Sequence, residues 1–74
     1  MAKQDSGTVY RVTEVIGTSA NSWEDAARNA VKTAASSLRD LRIAEVTKLD
    51  VRIGDDGKVA QFRARLALSF KYEG

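Results

Sequence analysis

The 74-residue chain contains no histidine and no cysteine, and this removes most routes to catalysis. Neither a Ser-His-Asp nor a Cys-His arrangement can form. Zinc sites built from Cys and His are closed as well. Ten acidic residues remain for acid–base work. Asp55 and Asp56 are adjacent in Gly54-Asp55-Asp56-Gly57. Two carboxylates flanking a substrate would be the glycosidase pattern, but aspartate in a glycine-bounded turn is favoured by turn geometry alone. The same glycines lie between two extended runs, not between a strand and a helix, so they form no phosphate-binding loop. No enzyme is expected.

Oxygen ligands for a hard cation such as calcium are present. Asp50, Asp55 and Asp56 are locally dense but lack the spacing of an EF-hand loop. Single carboxylates contributed by several subunits are the arrangement left for a metal, and its ligands stay unassigned. Arg63 and Arg65 alternate near Lys58 and Lys71, but 12 basic residues face 10 acidic ones, for a net charge of +2. That balance fits a solvated strand face rather than a nucleic-acid footprint. Trp23, the single tryptophan, opens a helical run and is expected to cover the core edge rather than a ligand. Tyr10 and Tyr72 are expected to pack near strand ends.

Four elements must position these residues. Residues 9–16 are rich in β-branched types and bounded by Gly7 and Gly17, which predicts a strand. Neither of its faces is cleanly apolar. Ser22 is an N-cap candidate with Asp25 three residues on, a weakened capping box. Glu24 and Asp25 in the first turn suit the helix dipole. Residues 23–41 then carry an apolar stripe of Ala27, Ala30, Val31, Ala34, Leu38 and Leu41 at helical spacing. A helix of about 19 residues would span roughly 28 Å. Residues 43–53 alternate as a second strand, with Ile43, Glu45, Thr47, Leu49, Val51 and Ile53 on one side. Gly54 to Gly57 is a turn. Residues 59–72 form the clearest strand, with Ala60, Phe62, Ala64, Leu66, Leu68, Phe70 and Tyr72 on one apolar face.

The expected fold is α+β: a β-α-β-β order in which a three-stranded, antiparallel-rich sheet curls around one helix. Residues 9–73 form one domain, and residues 1–8 a flexible terminus rather than a secretory signal. No run of about 18 apolar residues exists to span a membrane, and a cytoplasmic location is expected. A domain this small buries only about 60 % of its unfolded surface. Without disulfides or a zinc site, self-association is the remaining route to stability. One sheet face and two long edge strands have no cover from the same chain, which also points to a symmetric oligomer.

Residues across the chain resemble the dodecin family: V-Y-R-V-T-E-V-I-G-T-S, then S-W-E-D-A-A, L-R-D-L-R-I-A-E-V, G-K-V and F-R-A-R-L-A-L-S-F-K-Y-E. The resemblance implies a hollow homododecamer that binds flavins (riboflavin or FMN) in pairs at two-fold interfaces, for storage and not for redox catalysis. It also implies where the flavin site would lie, and there the sequence departs from the family. Ile43 stands where the stacking tryptophan is expected, which forfeits on the order of 1 kcal/mol or more of aromatic stacking. Arg63 stands where a glutamine hydrogen-bonds the ring, and arginine has no acceptor. Lys48 stands at a position that is acidic in some members. Ile43, Glu45, Lys48 and Arg63 are therefore expected to line a cofactor pocket in a subgroup that keeps the shell without the usual flavin clamp. Two other readings of the face stay open. Arg63, Lys48 and Arg65 either bind an anionic ligand or pair with Glu45 across an interface. The shell would then hold a cation such as calcium or an anionic cofactor, or be purely structural.

Overall fold

Strand β1 (Tyr10–Ser19) runs straight through Gly17, past the expected boundary. The computed structural model describes residues 7–71; most of the expected loose terminus, and Tyr72 with its expected packing role, lie outside them. Gly17 is not a turn. It is the point where helix α1 (Trp23–Ala35) comes closest to the sheet. A Cβ built there would lie 2.1 Å from the Ala26 carbonyl oxygen and 2.7 Å from the Ala30 Cβ. Only glycine permits that approach.

The helix answers with alanine. Its buried residues are Ala26, Ala30 and Ala34, one per turn along one line. Ala26 is the most buried of them, although the expected stripe omitted it. Ala27 and Val31 pack beside that line. Ser22 caps the helix: its Oγ accepts from the Asp25 amide at 3.0 Å. The Asp25 carboxylate does not return to the cap, as a full capping box would require. It accepts instead from the buried Ser19 hydroxyl at 2.7 Å, tying the end of β1 to the first helical turn.

The helix stops at Ala35, six residues before the expected end. Serine competes for backbone groups through its hydroxyl. Here Ser36 Oγ donates to the Thr33 carbonyl at 2.6 Å. Asp40 then turns the chain with φ of 56°. Leu38 and Leu41 still reach the core, but from the connection and from the first residue of β2 rather than from the helix.

Strands β2 (Leu41–Ile53) and β3 (Val59–Lys71) are joined by the expected turn. Gly57 adopts φ of 79°, and Lys58 N–H donates to Asp56 Oδ1 at 3.0 Å, which accounts for the aspartate there. The sheet order is β1-β3-β2, and both pairings are antiparallel. The helical crossover therefore links two strands that do not touch, with β3 between them. Ala64, Leu66 and Leu68 of β3 complete the core under the helix. The helix lies mainly over β1 and β3 and only brushes β2. Among the described residues, no helix is long and apolar enough to cross a membrane.

Strict alternation along residues 43–53 fails. The β2–β3 register shifts between Val46 and Lys48, so Thr47 is a bulge residue. Its hydroxyl donates to the Arg65 carbonyl at 3.2 Å. Every side chain after it changes face.

Replacing Gly17 by Ala should shift the urea midpoint down by an amount equivalent to at least about 1–3 kcal/mol, the usual cost of overpacking. An unchanged midpoint would show that the helix does not press on the sheet there.

Candidate functional site

The bulge at Thr47 decides where the candidate pocket residues fall. With strict alternation, Glu45 and Lys48 would point to opposite sides. With the bulge, Ile43 pairs with Ser69, Glu45 with Ala67, Lys48 with Arg65 and Asp50 with Arg63. Those β3 residues alternate with the core positions Leu66 and Leu68, so all of them face away from the helix. Ile43, Glu45, Lys48 and Arg63 are thus brought together on one bare sheet face.

The face can be written row by row, from β1 through β3 to β2. The rows are Val12–Ser69–Ile43, Glu14–Ala67–Glu45, Ile16–Arg65–Lys48 and Thr18–Arg63–Asp50. None of the described residues covers it. Val12 is 62 % exposed, Ile43 60 % and Ile16 45 %. Tyr10, expected to pack at a strand end, stands exposed on this side opposite Lys71.

Arg63 is held by Asp50 of the neighbouring strand rather than by Glu45. Its Nε donates to Asp50 Oδ1 at 2.7 Å and its second nitrogen to Asp50 Oδ2 at 3.3 Å, a bidentate pair. The sequence signal was two opposite charges, but the bulge hid that they are cross-strand neighbours. The Arg63 hydrogen bond is the main cause that holds the Asp50 carboxyl below the usual carboxylate range. Desolvation opposes it, and the positive charges of Arg63, Arg65 and Lys48 add to the lowering. Asp50 is also anchored through its backbone: Trp23 Nε1 donates to the Asp50 carbonyl at 3.0 Å. The indole meets Phe62 edge-on, centroids 5.0 Å apart. Trp23 therefore packs at the core edge, as expected, and pins β2 to the helix from the side opposite the candidate pocket.

No group of three or more potential metal-ligating side chains occurs among the described residues. Asp50 is engaged with Arg63, and Asp55 and Asp56 belong to the hairpin turn. Among the described residues, the expected density around Asp50 therefore brings no ligand set together. Besides Asp50, the bare face carries the carboxylates Glu14 and Glu45, one on each side of the small Ala67.

The dodecin family model matches residues 9–73. The calcium dodecin of Mycobacterium tuberculosis is 44% identical over 64 residues, covering 86% of this chain and 89% of that protein. Dodecin from Streptomyces coelicolor superposes with a TM-score of 0.86 at 44% identity, covering 95% of this chain and 99% of that one. A crystal structure of the M. tuberculosis calcium dodecin, described as calcium-chelating with a novel calcium-binding site, gives a TM-score of 0.79 at 43% identity over 88% of this chain and 91% of that one.

A carboxylate with a depressed folded pKa adds stability that is present above its unfolded pKa and lost as pH falls through the folded one. For Asp50 that window lies below the usual carboxylate range. Following its carboxyl carbon by NMR should give a midpoint below 3.8, the ordinary aspartate value. Arg63→Gln should move the midpoint up; no movement would mean the pair does not form in solution.

Proposed function

The chain belongs to the dodecin family, and we propose that it is a non-enzymatic, self-assembling protein that stores a small ligand on the bare face of its sheet, between subunits. The observation that carries this reading is the convergence of Ile43, Glu45, Lys48 and Arg63 on one face that the described residues leave uncovered. The assembly in this reading is the family's hollow homododecamer, and its place is the cytoplasm. Its non-catalytic role is supported by the lack of His and Cys.

Flavin is the family ligand, and here its clamp is weak. Ile43 offers no π-face to an isoalloxazine ring. Arg63 is engaged by Asp50 and supplies no acceptor. The protein in this reading binds riboflavin or FMN, but less tightly than a face with an aromatic at position 43. A second reading, a calcium-type cation, is favoured by Glu14 and Glu45 flanking Ala67 and by the likeness to a calcium dodecin. Hard cations need six to eight oxygens, so carboxylates of several subunits would have to converge.

Fluorescence titration of FMN against wild type and Ile43→Trp tests the first reading. The tryptophan should tighten binding about five- to tenfold, from the roughly 1 kcal/mol that an aromatic pair adds. Equal affinities would place the flavin elsewhere or nowhere.

Calorimetry with calcium chloride tests the second reading. Heat that vanishes in Glu14→Gln plus Glu45→Gln supports it, and no heat with wild type rejects it.

A further inference from the structure

Seating α1 on Gly17 draws it toward β1 and leaves a cleft along its other flank. Between α1 and β2 runs a groove of about 370 Å³. Leu66 of the central strand is its floor. Ala27 and Val31 form the helical wall, and Ala44 and Val46 the strand wall. Ala44 and Val46 pair with Leu68 and Leu66, so they look toward the helix and away from the bare face. Both are nonetheless exposed, because the helix only brushes β2. Trp23 closes one end by reaching from the helix to the Asp50 carbonyl. At the other end residues 36–40 carry the chain from helix to strand.

The rim of this groove is cationic. Arg28 and Lys32 stand four residues apart, on successive turns of one helix face, and both line the groove. Among the described residues neither side chain forms an ion pair or a hydrogen bond. Glu24, one turn before Arg28, is not paired with it. Every other lining residue is aliphatic. An apolar lining with a few polar groups that fix orientation is the usual make-up of a small-ligand site.

We propose that the groove binds a straight-chain carboxylate, its alkyl chain lying over Leu66 between α1 and β2 and its head on Arg28 and Lys32. The two halves of the groove select this occupant. Aliphatic walls accept an alkyl chain, whereas a polar ring such as a flavin would leave its hydrogen-bonding groups unmet there. Two cations one turn apart suit a single carboxylate, whose two oxygens pair well with a guanidinium. The site lies across the sheet from the face assigned to ligand storage and does not compete with it.

Calorimetry on the native assembly tests the proposal with three probes: octanoate, octanol and acetate. Octanoate should bind saturably, one per chain. Octanol has the chain without the charge, and acetate the charge without the chain. Each should bind at least about tenfold more weakly, the equivalent of one charge-assisted hydrogen bond. Arg28→Gln with Lys32→Gln should weaken octanoate by a similar factor. Ala44→Leu, which fills the groove from an exposed strand position, should abolish the heat. Circular dichroism and light scattering check the fold and mass of each variant, and the three-probe comparison on wild type needs no variant. No saturable octanoate binding would mean that the groove is empty or filled by another copy, and would overturn the site. Octanol or acetate binding as tightly as octanoate, or a folded variant that keeps wild-type affinity, would overturn it as well. The storage reading stands on the opposite face and is untouched by any of these outcomes.

Discussion

The structure depends on how closely one helix lies against one strand. Gly17 removes the side chain that would hold α1 away, and Ala26, Ala30 and Ala34 remove the bulk on the helix side. The gain is dense packing; the cost is area. Alanine covers little apolar surface, so the core consists of three alanines under the helix with Ala64, Leu66 and Leu68 on the central strand. A helix seated this close to β1 and β3 cannot also cover β2, where Val46 and Leu49 stay about half exposed. Among the described residues, the opposite side of the sheet has no second layer. Domains of this size without a disulfide usually draw stability from partner subunits.

The supporting contacts serve that geometry. Ser19, Ser22 and Asp25 tie the end of β1 to the first helical turn. Trp23 reaches across to the Asp50 backbone and fixes β2 from the helix side. On the other side the Asp50 carboxylate takes the Arg63 guanidinium. One residue of β2 thus links the core to the bare face. The bulge at Thr47 sets the phase of that strand, so Glu45 and Lys48 join Ile43 on the face rather than dividing between two sides. The chemistry of the face follows: an apolar edge, two flanking carboxylates and a cationic stretch.

Much of this was legible in the residues. The apolar alternation on β3 is long and unbroken, and it identified Leu66 and Leu68 as core. The four elements and their order followed from period and from glycine spacing. What was not legible has local physical causes. Gly17 reads as a boundary because glycine commonly ends strands, whereas here it admits a helix. Serines 36 and 37 ended the helix early, while Leu38 and Leu41 kept its apolar period into the connection and β2. The Arg63–Asp50 pair and the shared face of Glu45 and Lys48 depend on a one-residue bulge, which leaves no mark in an alternation of this length. The four candidate pocket residues came from likeness to a family, and the register supplies the reason they can act together.

The central claim is that the sheet face opposite the helix is buried between subunits, and hydroxyl-radical footprinting with mass spectrometry tests it most directly. In an isolated subunit Tyr10, Val12 and Ile43 are 49 %, 62 % and 60 % exposed, and would oxidise readily. The account predicts that in the native protein at low salt these three residues are protected, and that dilution or salt which breaks the assembly restores their oxidation. Oxidation at the isolated-subunit rate under all conditions would contradict it, because the face would then be open to solvent in the working protein.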